Sequence, residues 1–274
     1  MSATRSCCRW RSQWVRADGS RSPTWDAAAY LFFATGEAVR SVTGSERQAM
    51  VSPVGVAFDE AGRLYVSDSA GHLFAFAANG DFRFTVDKAG DRPLLRPTGL
   101  AWSPRARVLY VADTVANQID GFDEDGALAL SFGGRGEAPG QLNFPTHLAW
   151  SAPGELYVTD AMNFRIQIFD EGGRPLGLFG RHGDGSGDLA MPKGVAVDRR
   201  GVVYVVDGLF DNVQLFDREG GFLLTLGARG TEYGEFWLPA GAFVDAEDRL
   251  YVCDTYNRRI QVFRIVARGD RARS

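Results

Sequence analysis

Short apolar runs separated by Gly, Asp, Asn and Arg set the pattern of this chain. Between Gly194 and Gly227 the runs are GVAVD, VVYVVD, NVQLFD and FLLTLG, divided by Arg-Arg-Gly, Gly-Leu-Phe-Asp and Arg-Glu-Gly-Gly. Runs of this length, rich in Val, Leu, Tyr and Phe and bounded by turn residues, predict strands. No window carries a helical period. Four such strands in a row predict an antiparallel meander.

The meander recurs. LYVSD, LYVAD, LYVTD, VYVVD and LYVCD end at Asp68, Asp113, Asp160, Asp207 and Asp254. Each follows a segment led by Pro53, Pro97, Pro145, Pro192 or Pro239, spaced by 44, 48, 47 and 47 residues. A period of this size marks a repeat architecture. Four-stranded units around an axis make a β-propeller, in which stacking buries the sheet faces that one blade cannot cover. The expected fold is all-β and single-domain over residues 1–274, with blades from 53, 97, 145, 192 and 239 and a charged tail at 268–274. A degenerate unit at about 12–52 raises the count to six blades, since AYLFFATG and AVRSV align with LFAFAANG and FRFTV. The last unit supplies three strands, so residues near Ser6–Arg11 are expected to close the ring. The alternative is a five-bladed ring in which residues 29–43 complete the last unit.

The recurring Asp sits at a strand end before a turn, where a carboxylate accepts turn N–H groups. Asp160 and Asp254 are each followed five residues later by Arg165 and Arg259. An element present five times reads as scaffold. Pro suits a strand start, and the Gly of Pro-x-Gly permits close backbone approach near an axis. Trp102, Trp150, Phe132 and Phe216 are expected to pack between blades.

The units resemble NHL repeats. The resemblance rests on P-x-G-[VL]-A, on G-x-L-Y-V-x-D, on N-x-R-I-Q-[VI]-F at Asn163–Phe169 and Asn257–Phe263, and on linkers such as FGGRGEAPGQL from Phe132. It implies a propeller, and its branches imply three functions. Animal NHL proteins bind RNA or protein, yet no zinc-binding module precedes the repeats here. Amidating lyases hold zinc through several His, of which His147 alone has a comparable place. Gluconolactonase-like propellers hold a divalent ion on inner strands, where this chain places acids at the far end, at Asp59, Asp198 and Asp245.

Composition narrows the rest. The net charge of −4 gives no global field for nucleic acid. The three cysteines, Cys7, Cys8 and Cys253, argue against a disulfide framework, and with three histidines they argue against a Cys/His zinc site. No apolar run is long enough for a membrane helix, and the Arg-rich start lacks the apolar core of a signal peptide. The sequence as given reads as a cytoplasmic monomer, or as an exported one if a leader precedes Met1.

Candidate function sits on the face formed by the linkers and the second-to-third strand turns, because long loops around an axial opening carry binding sites. Arg135, His147, Asn163, Arg181, Lys193, Arg229, Tyr233 and Tyr256 fall there. Arg135 and Arg229 occupy equivalent linker positions, with Arg181 slightly earlier in its own. They suit a protein or peptide ligand, an acidic one included. No nucleophile elbow, metal cluster or phosphate loop stands out, so no cofactor is expected and His147 alone is a catalytic candidate. The expectation is a non-catalytic binding scaffold. A metal-assisted lyase or hydrolase at the axial mouth and an RNA-binding propeller are the alternatives.

Overall fold

The structure, a computed structural model, describes residues 31–35, 38–42, 44 and 48–266. A hairpin comes first, β1 (Leu31–Thr35) with β2 (Ala38–Val42). The first blade is β3 (Pro53–Phe58), β4 (Leu64–Asp68), β5 (His72–Phe76) and β6 (Phe82–Val86). A small hairpin of β7 (Lys88–Ala89) and β8 (Arg92–Pro93) leads to the second blade. That blade holds β9 (Pro97–Ser103), β10 (Val108–Asp113), β11 (Gln118–Phe122) and β12 (Leu128–Gly133). The third is β13 (Pro145–Trp150), β14 (Leu156–Asp160), β15 (Arg165–Phe169) and β16 (Pro175–Phe179). The fourth is β17 (Pro192–Val197), β18 (Val203–Asp207), β19 (Asn212–Phe216) and β20 (Phe222–Leu226). The fifth has three strands, β21 (Ala242–Val244), β22 (Arg249–Asp254) and β23 (Arg259–Arg264).

Each blade is an antiparallel meander in chain order, as the strand pattern predicts. In the four full blades a register shift falls at the Pro-led start of the first strand, opposite the recurring Asp, and another near the start of the third-to-fourth turn. Such bulges increase local twist.

Blades pack face to face. Tyr65, Ala57 and Leu73 of the first blade meet Leu100, Trp102 and Val111 of the second. Equivalent clusters join the second to the third, the third to the fourth and the fourth to the fifth. The aromatic residues take the predicted places: Trp102 stacks on Tyr65 at 5.9 Å, Trp150 on Tyr110 at 5.3 Å, and Phe132 meets Phe169 at 5.0 Å. Inner strands touch through backbone. A Cβ on Gly99 would lie 2.7 Å from His147 Cα and Thr146 O, which is why the repeat keeps Gly there.

The ends depart from the sequence expectation. Five blades stand among the described residues, the alternative count, rather than six. The degenerate N-terminal unit lacks the Pro lead and the Tyr-Val strand, and its described part is a two-stranded sheet. Among the described residues β1 and β2 pair with each other and not with β23. Val42 and Met50 pack on Val56, Leu64, Val66 and Phe74, covering the first blade's outer side. The fifth blade has no fourth strand among the described residues, so Ile260 and Val262 are exposed where Ile166 is buried in the third blade. A cavity of about 380 Å³ lined by Glu247, Arg249, Val262 and Arg264 marks that edge. The proposed closing segment Ser6–Arg11 lies outside the described residues.

Cys253 is disulfide-bonded. The three-cysteine count argued against a disulfide framework, and a single bridge is compatible with that reading. An odd count excludes full pairing, not one pair.

Candidate functional site

The repeating Asp is a linker clamp. Asp113 accepts the N–H groups of Leu95 and Arg96 at 2.9 and 2.8 Å. Asp160 accepts Asn143 N–H at 2.6 Å, Asp207 accepts Ala190 at 2.7 Å, and Asp254 accepts Trp237 at 2.8 Å. All five carboxylates are fully buried. Each satisfies the backbone of the residues just ahead of its own blade's inner strand, groups that would otherwise be orphaned. The turn after each Asp closes the same loop from the other side: Thr114, Met162, Gly208 and Tyr256 donate N–H to the carbonyls of Arg96, Asn143, Met191 and Trp237.

The Arg residues of the repeat serve the same clamp. Arg165 Nε donates to Asp160 at 2.7 Å, and its terminal nitrogens reach the carbonyls of Glu137 and Gln141. Arg259 does this in the fifth blade with Asp254, Thr231 and Glu235. In the second blade Arg92 arrives from β8 and bridges Asp113 and Asp120 at 2.7 and 2.5 Å. The Asp-Arg pairing is therefore structural.

The clamps build a rim around the axial mouth. It consists of the residues ahead of each Pro and the turns after each Asp. Neighbouring blades are sewn together along it: Phe144 N–H donates to Asn117 Oδ1 at 2.9 Å, and Leu238 N–H to Asp211 Oδ1 at 2.6 Å. Much of what the rim shows to solvent is apolar, beside the exposed Arg96, Thr255 and Arg258. Val51 is 67% exposed, Leu209 62%, Tyr256 59% and Met162 55%, with Leu95, Val115 and Phe144 also exposed. Burying such side chains in a partner is favourable by about 25 cal/mol per Å².

The expected site residues divide on this rim. Asn163 is held by the fold, donating to Gly136 O and Asp160 Oδ2 at 2.8 Å each. Arg181 pairs with Asp188 at 2.7 Å, which lowers that carboxyl's pKa. It does not share the place of the other two linker arginines, because Arg135, His182 and Arg229 are the ones that form equivalent bridges to Leu142, Leu189 and Phe236. Arg135 is exposed. Arg229 lies 5.4 Å over the Trp237 ring, and Trp237 stacks on Tyr256 at 5.0 Å. Tyr233 donates to Val262 O at 2.9 Å. Lys193 lies against Gly208, the residue before Leu209. So Arg229 and Tyr256 meet through Trp237, and Lys193 lies on the fourth blade's side of that junction, where the Gly208 turn is joined to Leu238 through Asp211, while Arg135, Asn163 and Arg181 belong to other linkers and turns.

His147 stands half-buried on β13, in the place of the Pro-x-Gly glycine. Desolvation pushes its imidazolium pKa down to about 4. Among the described residues no group of three or more His, Cys, Asp or Glu is placed to hold one metal ion.

The opposite face is built differently. Its first-to-second strand turns carry ion pairs that link blades, such as Arg63–Glu124 at 2.7 Å and Arg199–Asp248 at 2.8 Å, and Arg218–Glu155. Tyr65, Tyr204 and Tyr251 hydroxyls donate there to Asp59, Asp198 and Asp245. Burial first, then the neighbouring carboxylate, raises the Tyr65 and Tyr204 hydroxyls far above their ordinary pKa. The inner-strand acids at that end are thus tied to tyrosines and arginines of their own sheets.

Sequence reading named Tyr256 but missed the other apolar members of the rim. A signal existed: Val115, Met162, Leu209 and Tyr256 each stand two residues after a recurring Asp, as an apolar residue inside a turn. The stacking of Trp237 under Arg229 had no such signal.

Residues 236–263 match the NHL repeat family, over the end of the last linker and the three strands of the fifth blade. No curated protein matches the sequence. Among solved structures, the fold is similar to virginiamycin B lyase from Staphylococcus aureus, at 12% identity and TM-score 0.62, over 97% of this chain and 89% of that one. A catalytically inactive form of that lyase with quinupristin aligns at TM-score 0.64 and 12% identity, over 97% and 90% of the two chains. A streptogramin B lyase aligns at TM-score 0.60 and 12% identity, over 87% and 80%. At this identity the likeness shows the β-propeller fold alone.

Proposed function

From a chain with an NHL repeat set in a β-propeller frame, we propose a binding scaffold that recognises a protein or peptide through its linker face without catalysing a reaction. The observation that carries this reading is the apolar rim. Fold-holding groups on this side, the Asp clamps and their Arg partners, are buried or turned inward, while Val51, Leu209, Tyr256 and Met162 face solvent. Rigid clamps holding exposed apolar side chains around a mouth lower the ordering cost of binding. Exposed apolar side chains on the outer strands, such as Leu223, lie along blade edges and do not encircle an opening.

The test compares Leu209→Asp with Met162→Asp, and both with a Leu223→Asp control, in partner capture from native extract. Loss of the same partner in both rim variants, with retention in the control, supports the scaffold. Capture unchanged by both rim variants overturns it.

A second reading, a lyase at the axial mouth, is supported by the likeness to the two lyases, and would rest on His147. Its pKa near 4 keeps the ring neutral at pH 7 but makes it a weak base. Turnover of virginiamycin B or quinupristin, lost in His147→Ala, would favour this reading.

A further inference from the structure

We infer that the sector between the fourth and fifth blades is a subsite for an acidic, apolar peptide segment, which would seat an apolar side chain on Leu209 and Tyr256 and a carboxylate on Arg229 and Lys193. This rests on the scaffold reading above and names its ligand chemistry.

The apolar half of the subsite is Leu209 and Tyr256, both more than half exposed. Tyr256 is held in place: its ring stacks on Trp237 at 5.0 Å and 27°, and its N–H donates to Trp237 O at 3.0 Å. Trp237 is fixed in turn by the Asp254 clamp. A stacked, clamped aromatic pair offers contact area at little entropic cost.

The charged half is cationic. Arg229 lies 5.4 Å over the Trp237 ring and is itself exposed, so its N–H groups are open to a carboxylate. The Lys193 stem lies against Gly208, the residue before Leu209. Among the described residues neither Arg229 nor Lys193 forms an ion pair, whereas Arg165, Arg181 and Arg259 each have an Asp partner. Of the acids beside these residues, Asp207, Asp211 and Asp254 are buried and engaged by the N–H groups of Met191, Leu238 and Trp237, while Glu235, further along the Arg229 linker, accepts the Glu232 N–H. Charge complementarity therefore selects an anionic partner. The aliphatic members select a peptide over a polynucleotide, since Leu209 neither stacks a base nor meets a phosphate, and the net charge of −4 opposes a polyanion.

The experiment is calorimetric titration of the full chain with three short capped peptides. One alternates glutamate with leucine and phenylalanine, one has lysine in place of glutamate, and one has serine in place of the apolar residues. The expected result is binding of the first alone, weakened about tenfold by Arg229→Glu with Lys193→Glu and by Leu209→Asp. Circular dichroism confirms that the variants fold. Equal binding of the lysine peptide, no binding of the glutamate peptide, or tighter binding of a short oligouridylate overturns the inference. If the rim variants still lose their captured partner while the charge reversal has no effect, this subsite falls and the scaffold stands. If the rim variants lose nothing, the scaffold reading falls as well.

Discussion

Arg165 Nε donates to Asp160 Oδ2 at 2.7 Å across the turn between their strands, with Asp160 fully buried. The same pair occurs in the fifth blade as Arg259 and Asp254 at 2.8 Å. The two differ in surroundings. The Arg165 side chain is 11% exposed and Arg259 is 32% exposed, because the fifth blade has no fourth strand among the described residues to cover it.

Removing one partner of a buried pair leaves the other charge uncompensated. Arg165→Ala is expected to destabilise the protein by about 3 kcal/mol in urea unfolding. Arg259→Ala is expected to cost about 1 kcal/mol, since water screens its pair. Equal losses would show that the fifth blade is as covered as the third.

Gly99 faces backbone, not a yielding side chain. Its added Cβ would meet His147 Cα and Thr146 O, both at 2.7 Å. Gly99→Ala is expected to cost about 2 kcal/mol by pushing the inner strands of the second and third blades apart. Thermal melting checks this. Gly134→Ala is the control for backbone strain alone, because its Cβ position has no neighbour within 4 Å and its φ is +106°.

His147 makes stability depend on pH. Its folded pKa is about 4, below the ordinary 6.5, so the folded state binds fewer protons than the unfolded state between those values. The stabilisation is complete above about pH 6.5 and is lost as the pH falls toward 4, by at most about 3 kcal/mol. His147→Gln is expected to flatten the urea midpoint across that window. Carboxylates lowered by their partners, such as Asp188 beside Arg181, act at more acidic pH and leave the window to His147.

The Cys253 disulfide ties the middle strand of the fifth blade to another point of the chain. Reduction is expected to lower stability by about 3 kcal/mol, a usual size for a disulfide. Cys253→Ser should melt like the reduced protein and ignore added reductant. With three cysteines in the chain, thiol titration of the unreduced, denatured protein should find one free thiol.

The repeat frame was legible because it is local and periodic. Pro, Tyr-Val and Asp recur at fixed spacing, and each blade's pairing joins sequence neighbours. The structural role of the Asp was legible for the same reason, since a carboxylate at a strand end beside a turn has backbone donors within reach. The degenerate N-terminal unit misled the blade count, because alignment of two apolar runs does not supply the strands on which a sheet must grow.

The chain by itself determined that short twisted sheets would form in series and that the recurring side chains would hold them. Which non-recurring residues would meet was decided by the tertiary fold. Lys193, Arg229 and Tyr256 lie in different elements, and blade stacking sets them about one junction, while Arg181 is drawn to Asp188 and Asn163 to its own turn. Hydrogen bonding within a repeat acts over a few residues and is written in spacing. Contacts across the mouth depend on how whole blades are placed, and no local pattern encodes that.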